Sequence, residues 1–199
     1  MFDFTSANPR TLSYDPANFE EFQQAVYDEL RQNGKAWGIG RYKEERRNIL
    51  RNFPQMLLEE RTYHAGVDIT SQPGTPLYAP LDATVFRVGK EEGIGNYGGF
   101  VILEHRIEGQ SFYSFYGHLL SRHVVSEGKK IGAGERFAVI GDGADSGGWF
   151  THTHVQLITE EAKRADRLFQ GYVTKEDLTK IDSLFPSPYR LAGCSDSIS

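Results

Sequence analysis

The sequence predicts a mainly β domain, a sandwich or a barrel, with a helical extension at each end. Two observations point to the β domain. From about Tyr63, short runs of β-branched and aromatic residues recur roughly every 8 to 12 residues. Glycines and prolines punctuate them, among them Pro73-Gly74, Gly93, Gly95, Gly98-Gly99, Gly109, Gly128, Gly134, Gly141 and Gly143. A third observation sets off the ends: before about residue 60 and after 158 the apolar residues recur at helical spacing. The domain limits that follow are 1–59, 60–158 and 159–199, with extensions too small to fold alone.

Taken in order, residues 1–14 read as an irregular lead-in. Asp15-Pro16 offers an N-cap acceptor and a proline at the first helical position. Phe19, Phe22, Val26 and Leu30 follow at helical spacing, and Gly34 is a stop. A second amphipathic helix is expected from about Tyr42 to Phe53, with Ile49, Leu50 and Phe53 inward. Its run Lys43-Glu44-Glu45-Arg46-Arg47 reads as a solvated face.

Expected strands are Val67-Ile69, Leu77-Tyr78, Thr84-Val88, Phe100-Leu103, Phe112-Tyr116, Phe137-Ile140 and Thr151-Leu157. Beyond them a helix is expected over about Glu160 to Phe169, and another from a Thr174-Lys175-Glu176-Asp177 capping box to Leu184. Residues Ser195 to Ser199 read as a frayed end.

Composition narrows the function. The 199 residues are 39% hydrophobic and 25% charged, ordinary for a soluble globular protein, and the net charge of −5 argues against nucleic acid as a partner. The one cysteine, Cys194, excludes an internal disulfide. No apolar run reaches the ~18 residues a membrane span needs. The start shows no basic and apolar leader, so the expected compartment is cytoplasmic.

The chemistry is concentrated in Phe150-Thr151-His152-Thr153-His154-Val155-Gln156-Leu157. Alternation on a strand puts both imidazoles on one face. In the extended segment Tyr63-His64-Ala65-Gly66-Val67-Asp68-Ile69, His64 and Asp68 share a face as well. Two imidazoles and a carboxylate are a standard donor set for a catalytic zinc with water as the fourth ligand. No HExxH motif is present, so other histidines must handle the water proton if the site is catalytic.

His64-x-Gly66-x-Asp68, Tyr116-Gly117-His118-Leu119 and His152-x-His154, in that order, resemble the zinc metallopeptidases of the LytM/lysostaphin type, peptidase family M23. The Pro73 to Pro80 stretch, the Gly95 to His105 segment and Ile140-Gly141 fit the same pattern, so the resemblance covers about residues 61 to 158. It implies an antiparallel barrel-sandwich hybrid fold (a duplicated hybrid motif). It also implies zinc held by His64, Asp68 and His154, with His118 and His152 as catalytic histidines. The activity it implies is a metalloendopeptidase acting on a peptide or peptidoglycan substrate, which would place the protein in the periplasm or outside the cell.

The chain departs from the family pattern at Phe150-Thr151, Thr153, Val155-Gln156 and Ala83, where Gly-Pro, leucine, Phe-Glu and glycine are usual. In some relatives a preceding segment occludes the cleft or adds a fourth ligand, for which Asn48 and Asn52 are candidates here.

Other readings compete. Degenerate relatives of the family serve as binding modules that regulate cell-wall enzymes, but all five positions are intact here. The Thr75 to Val85 stretch also resembles sugar-transport phosphocarriers, which would leave Asp68 and two of the histidines without a purpose. His105 and His123 read as structural. The glycines from 141 to 148 read as a mobile loop bordering the cleft, with Trp149 and Phe150 packing or touching substrate.

Overall fold

The computed structural model describes residues 1–15, 17–122 and 124–193. Pro16 of the expected cap, His123, Cys194 and the expected frayed end lie outside the described residues. The sheet dominates. In chain order the strands are β1 (Gly38–Gly40), β2 (Tyr63–His64), β3 (Val67–Thr70), β4 (Pro76–Tyr78), β5 (Ala83–Glu91) and β6 (Gly98–Ile107). There follow β7 (Gln110–Leu119), β8 (Lys130–Ile131), β9 (Arg136–Val139), β10 (His152–Thr159) and β11 (Tyr172–Val173). The helices are α1 (Phe19–Gln32), α2 (Pro54–Leu58), α3 (Glu160–Arg164) and α4 (Ile181–Leu184).

Seven strands form one antiparallel sheet in the order β1-β3-β10-β7-β6-β5-β8; β4 pairs with β9 and β2 with β11. The large sheet has two edges, β1 and β8, and does not close into a barrel. The β6–β7 hairpin turns on Glu108 and Gly109, both at positive φ (51° and 81°), as a two-residue primed turn requires.

Alternation along β6 sends Val101 and Leu103 to one face and Phe100 and Ile102 to the other. The first pair joins a core with Val67, Tyr116, Val155 and the β9 residues Phe137 and Ala138. The second joins Phe115, Ile158, Ala162, Ile181 and Phe185, so the C-terminal elements cover the opposite face. Covered on both sides, β10 is buried at nearly every position.

A third cluster belongs to the N-terminal region. Helix α1 is capped by Asn18, whose side chain accepts from Glu21 N, and it buries Phe22, Val26 and Leu30. The start therefore moves from Asp15 to Asn18; Asp15 instead accepts from Ala17 N in a local turn. Residues 1–14 are not a loose lead-in, because Phe2, Phe4 and Tyr14 are buried with Phe22, Leu50, Trp149 and Phe150.

The helix expected over 42–53 is absent. Lys43 N donates to His64 O, His64 N to Glu44 O and Arg46 N to Thr62 O, so this segment runs beside β2 as an extra strand-like stretch. A helix begins only at Pro54, where proline sits at the first helical position. The expected solvated face is overturned with it: Glu44 and Arg46 are buried.

At the C-terminal end the helices are shorter than expected. Helix α3 is capped by Thr159 and stops at Arg164. Thr174 Oγ1 accepts from Asp177 N, but it caps a 3₁₀ turn (Asp177–Thr179) followed by α4. No helix among the described residues is long and apolar enough to cross a membrane.

The N-terminal cluster meets the β domain through Phe22 and Phe150, whose rings lie 5.0 Å apart. Replacing Phe22 by alanine removes a fully buried ring and is expected to lower unfolding free energy by about 3–5 kcal/mol, measured by denaturant titration.

Candidate metal centre

Strand register builds the centre. On β10, His154 lies opposite Asp68 of β3, and His152 lies opposite Thr70. Directly opposed residues on one face bring their Cβ atoms to about 5 Å, so an imidazole and a carboxylate meet there. His64 arrives from outside the large sheet, on β2, where Tyr172 of β11 pairs with it on one side and the 43–46 segment on the other. His118 ends β7 at φ 57°, and its N–H donates to Tyr97 O at 2.7 Å. That left-handed conformation, costly for a non-glycine residue by about 1–3 kcal/mol, falls where β7 ends and the chain turns toward the centre.

Gly66 makes the approach possible. A Cβ built there would lie 2.6 Å from Val155 O and 2.7 Å from His154 Cε1. The glycine in His64-x-Gly66-x-Asp68 is thus the space into which the His154 ring fits.

The five residues singled out in the sequence are brought together and buried. His64 Nε2, His154 Nδ1 and Asp68 Oδ1 lie 2.9, 3.1 and 3.2 Å from one another. His152 Nε2 is 3.5 Å from the same Oδ1, and its ring is 4.2 Å from that of His118. Among the described residues, His64, Asp68 and His154 form the one cluster of metal-ligand type.

The outward nitrogens decide the tautomers. His64 Nδ1 lies 2.9 Å from Arg41 O, and His154 Nε2 lies 3.0 Å from Gln156 Oε1. Gln156 is itself oriented, since its Nε2 donates to Gln170 O. A neutral imidazole facing a carbonyl oxygen carries its proton on that nitrogen. Both inward nitrogens then present lone pairs to each other and to Asp68 Oδ1. Three lone pairs about 3 Å apart, with no proton among them, repel unless a cation lies between.

Their spacing fits that cation. Bonds of about 2.0–2.2 Å in a tetrahedral zinc site put ligand atoms about 3.4 Å apart, within a few tenths of an ångström of these distances.

The electrostatics agree. Burial, followed by the neighbouring Arg46 charge, pushes His64 down to about 3. Burial and the adjacent His152 and His154 hold His118 well below the usual histidine range, and burial lowers His152. Burial alone would raise Asp68, but His64, Arg46 and His152 outweigh it and hold the carboxyl well below its usual value. His118 and His152 donate from Nδ1 to Ser146 O (2.8 Å) and Phe150 O (2.7 Å), so each turns an unprotonated Nε2 to the cleft.

The remaining histidines and loops sort themselves. His105 bonds Asp82 O and Ser114 Oγ and is remote from the centre. Asn48 bonds Ser6 O and Thr11 Oγ1, and Asn52 lies against Asp15, so neither asparagine reaches the ligands. The 141–148 loop is packed, with Asp145 accepting from Ser121 and Ser146 O orienting His118. Phe150 is buried against Phe4 and Phe22, whereas Trp149 stacks on Phe53 and also lines the cleft. The cleft has a volume of about 170 Å³, and Met56, Arg61, Glu91, Asn96 and Phe169 contribute to its wall.

Sequence reasoning missed Arg46, Glu44 and Gln156. Gln156 carried a signal, lying two residues beyond His154 on the same strand face. Arg46 carried a misleading one, because its charged run fits a helix.

Comparison with known proteins follows the same residues. The sequence profile of peptidase family M23 matches residues 62–166, just over half the chain. An uncharacterized metalloprotease of Haemophilus influenzae is 37% identical over 94 residues, which is 47% of this chain and 18% of that protein. The chain thus spans under a fifth of that relative's length. Lysostaphin from Staphylococcus simulans superposes with a TM-score of 0.47 at 21% identity, over 62% of this chain and 44% of the other. The catalytic domain of the prophage-encoded M23 protein EnpA from Enterococcus faecalis gives 0.42 at 25% identity, over 57% and 77%.

Because His154 fills the space above Gly66, Gly66→Ala is expected to displace its ring. Metal affinity, measured by competition with a chromogenic chelator, should fall at least about tenfold.

Proposed function

Because the chain belongs to peptidase family M23, a family of metallopeptidases, we propose that it is a zinc metalloendopeptidase that hydrolyses peptidoglycan cross-links or stem peptides. One observation carries the metal: the proton-free convergence of His64 Nε2, Asp68 Oδ1 and His154 Nδ1. Two imidazoles and one carboxylate favour zinc and leave a fourth position open.

Zinc would supply Lewis acidity, polarising the scissile carbonyl and making water acidic enough to ionise near neutral pH. The chain's own groups do the rest. His118 and His152 each hold Nε2 unprotonated, oriented by a carbonyl behind the ring. One accepts the proton of the attacking water, and the pair returns it to the leaving amine. Once protonated, an imidazole at this distance also hydrogen-bonds the developing oxyanion. The buried walls around the pair exclude bulk water and strengthen these interactions.

Such a substrate lies outside the cytoplasm, so the proposed compartment is the periplasm or the cell exterior, in place of the cytoplasmic expectation. A regulatory binding module would need the cleft but not two more histidines oriented with free Nε2 atoms.

Metal analysis and product analysis test the two halves separately. Purified protein should carry about one equivalent of zinc, and His64→Ala and Asp68→Ala should lose most of it. A wild-type protein that takes up no zinc overturns the proposal. His118→Ala and His152→Ala should keep the metal but lower turnover of purified muropeptides by about 10²–10⁴-fold, with products identified by mass. Unchanged turnover in either variant removes that histidine from the mechanism.

A further inference from the structure

Peptide hydrolysis as described leaves one group at the centre without a role. Arg46 is buried to 1% exposure, on a segment outside the family-matched residues 62–166. Its Nη1 donates to Asp68 Oδ2 at 2.5 Å, while Asp68 Oδ1 is the oxygen that faces the imidazoles. Its Nε donates to Glu44 Oε2 at 2.9 Å. Glu44 Oε1 in turn accepts from Phe4 N and from Arg41 Nε and Nη2.

The guanidinium lies 5.2 Å over the Phe4 ring, and a Cβ on Gly40 would come within 2.5 Å of Nη2. The arginine is therefore held on every side. The loop that carries it also supplies Arg41 O to His64.

A carboxylate approaches a cation through one oxygen or through both. If Asp68 used both, it would take a coordination position that a hydrolytic site keeps open for water and substrate. Arg46 occupies the second oxygen. A free rotation of Asp68 would also break the hydrogen bond to a charged partner in a dry environment, where such bonds are strong.

We infer that Arg46 is a positioning residue of the metal centre: its guanidinium, anchored by Glu44, holds Asp68 Oδ2 so that the carboxylate meets the metal through Oδ1 alone. The inference rests on the metal-centre reading above and adds that the N-terminal segment is part of the centre.

The test uses the full chain loaded with Co²⁺, whose visible absorption reports coordination number, together with chelator competition for zinc. Arg46→Lys keeps the charge but loses the fork that spans Asp68 and Glu44. It is expected to weaken zinc binding about 10–100-fold and to reduce the intensity of the Co²⁺ bands as the coordination number rises. The paired substitution Arg46→Met with Glu44→Gln removes both buried charges together, so neither partner is left stranded. It should give the same spectral change.

A folded variant of either kind with wild-type zinc affinity and a wild-type Co²⁺ spectrum overturns the positioning role. If neither variant folds, Arg46 is a structural residue and the inference fails. Wild-type protein that binds no metal overturns the metal-centre reading itself, whereas wild-type binding with unaffected variants removes only this inference.

Discussion

Asp68 is loaded from two sides. Oδ1 lies within 3.5 Å of nitrogens from three histidines, and Oδ2 holds a buried guanidinium. A carboxylate removed from water is tolerable only when its lone pairs are met in this way. Its position depends on the pairing of β3 with β10, because a slip of one residue would turn Asp68 to the opposite face of the sheet. The packing on both faces of β10 keeps that register, since a slip would expose apolar residues on each.

The orientation of the rings is set by backbone carbonyls more than by side chains. Arg41 O, Ser146 O and Phe150 O each accept from a histidine, and Gln156 Oε1 accepts from the fourth. These partners come from the N-terminal segment, the 141–148 loop and β10 itself. A loop of glycines read as mobile is therefore part of the support of His118. The N-terminal region, read as a helical appendage, supports both His64 and Asp68.

Much of the fold was legible. The central strands follow alternation of apolar and polar residues bounded by turn glycines, and that signal is local. Strands β1, β2, β8 and β11 span two or three residues, too short for any period to register. Residues 42–53 were misread for a different reason. Their charges and apolar residues fit a helix, but the backbone of 43–46 finds partners across β2, and tertiary pairing outweighs a weak propensity.

The sequence by itself determined the chemical kinds at the centre: four imidazoles and one carboxylate, in motifs whose alternation places donors on one face. It also determined the glycine at 66, where the motif needs room. Only the tertiary structure decided which nitrogen of each ring carries a proton, because the acceptors are mostly carbonyl oxygens that every residue possesses. It likewise decided that Glu44 and Arg46 are buried against Asp68. Charged residues are expected in water unless a partner is brought to them, and that partner lies 22 residues away in the chain.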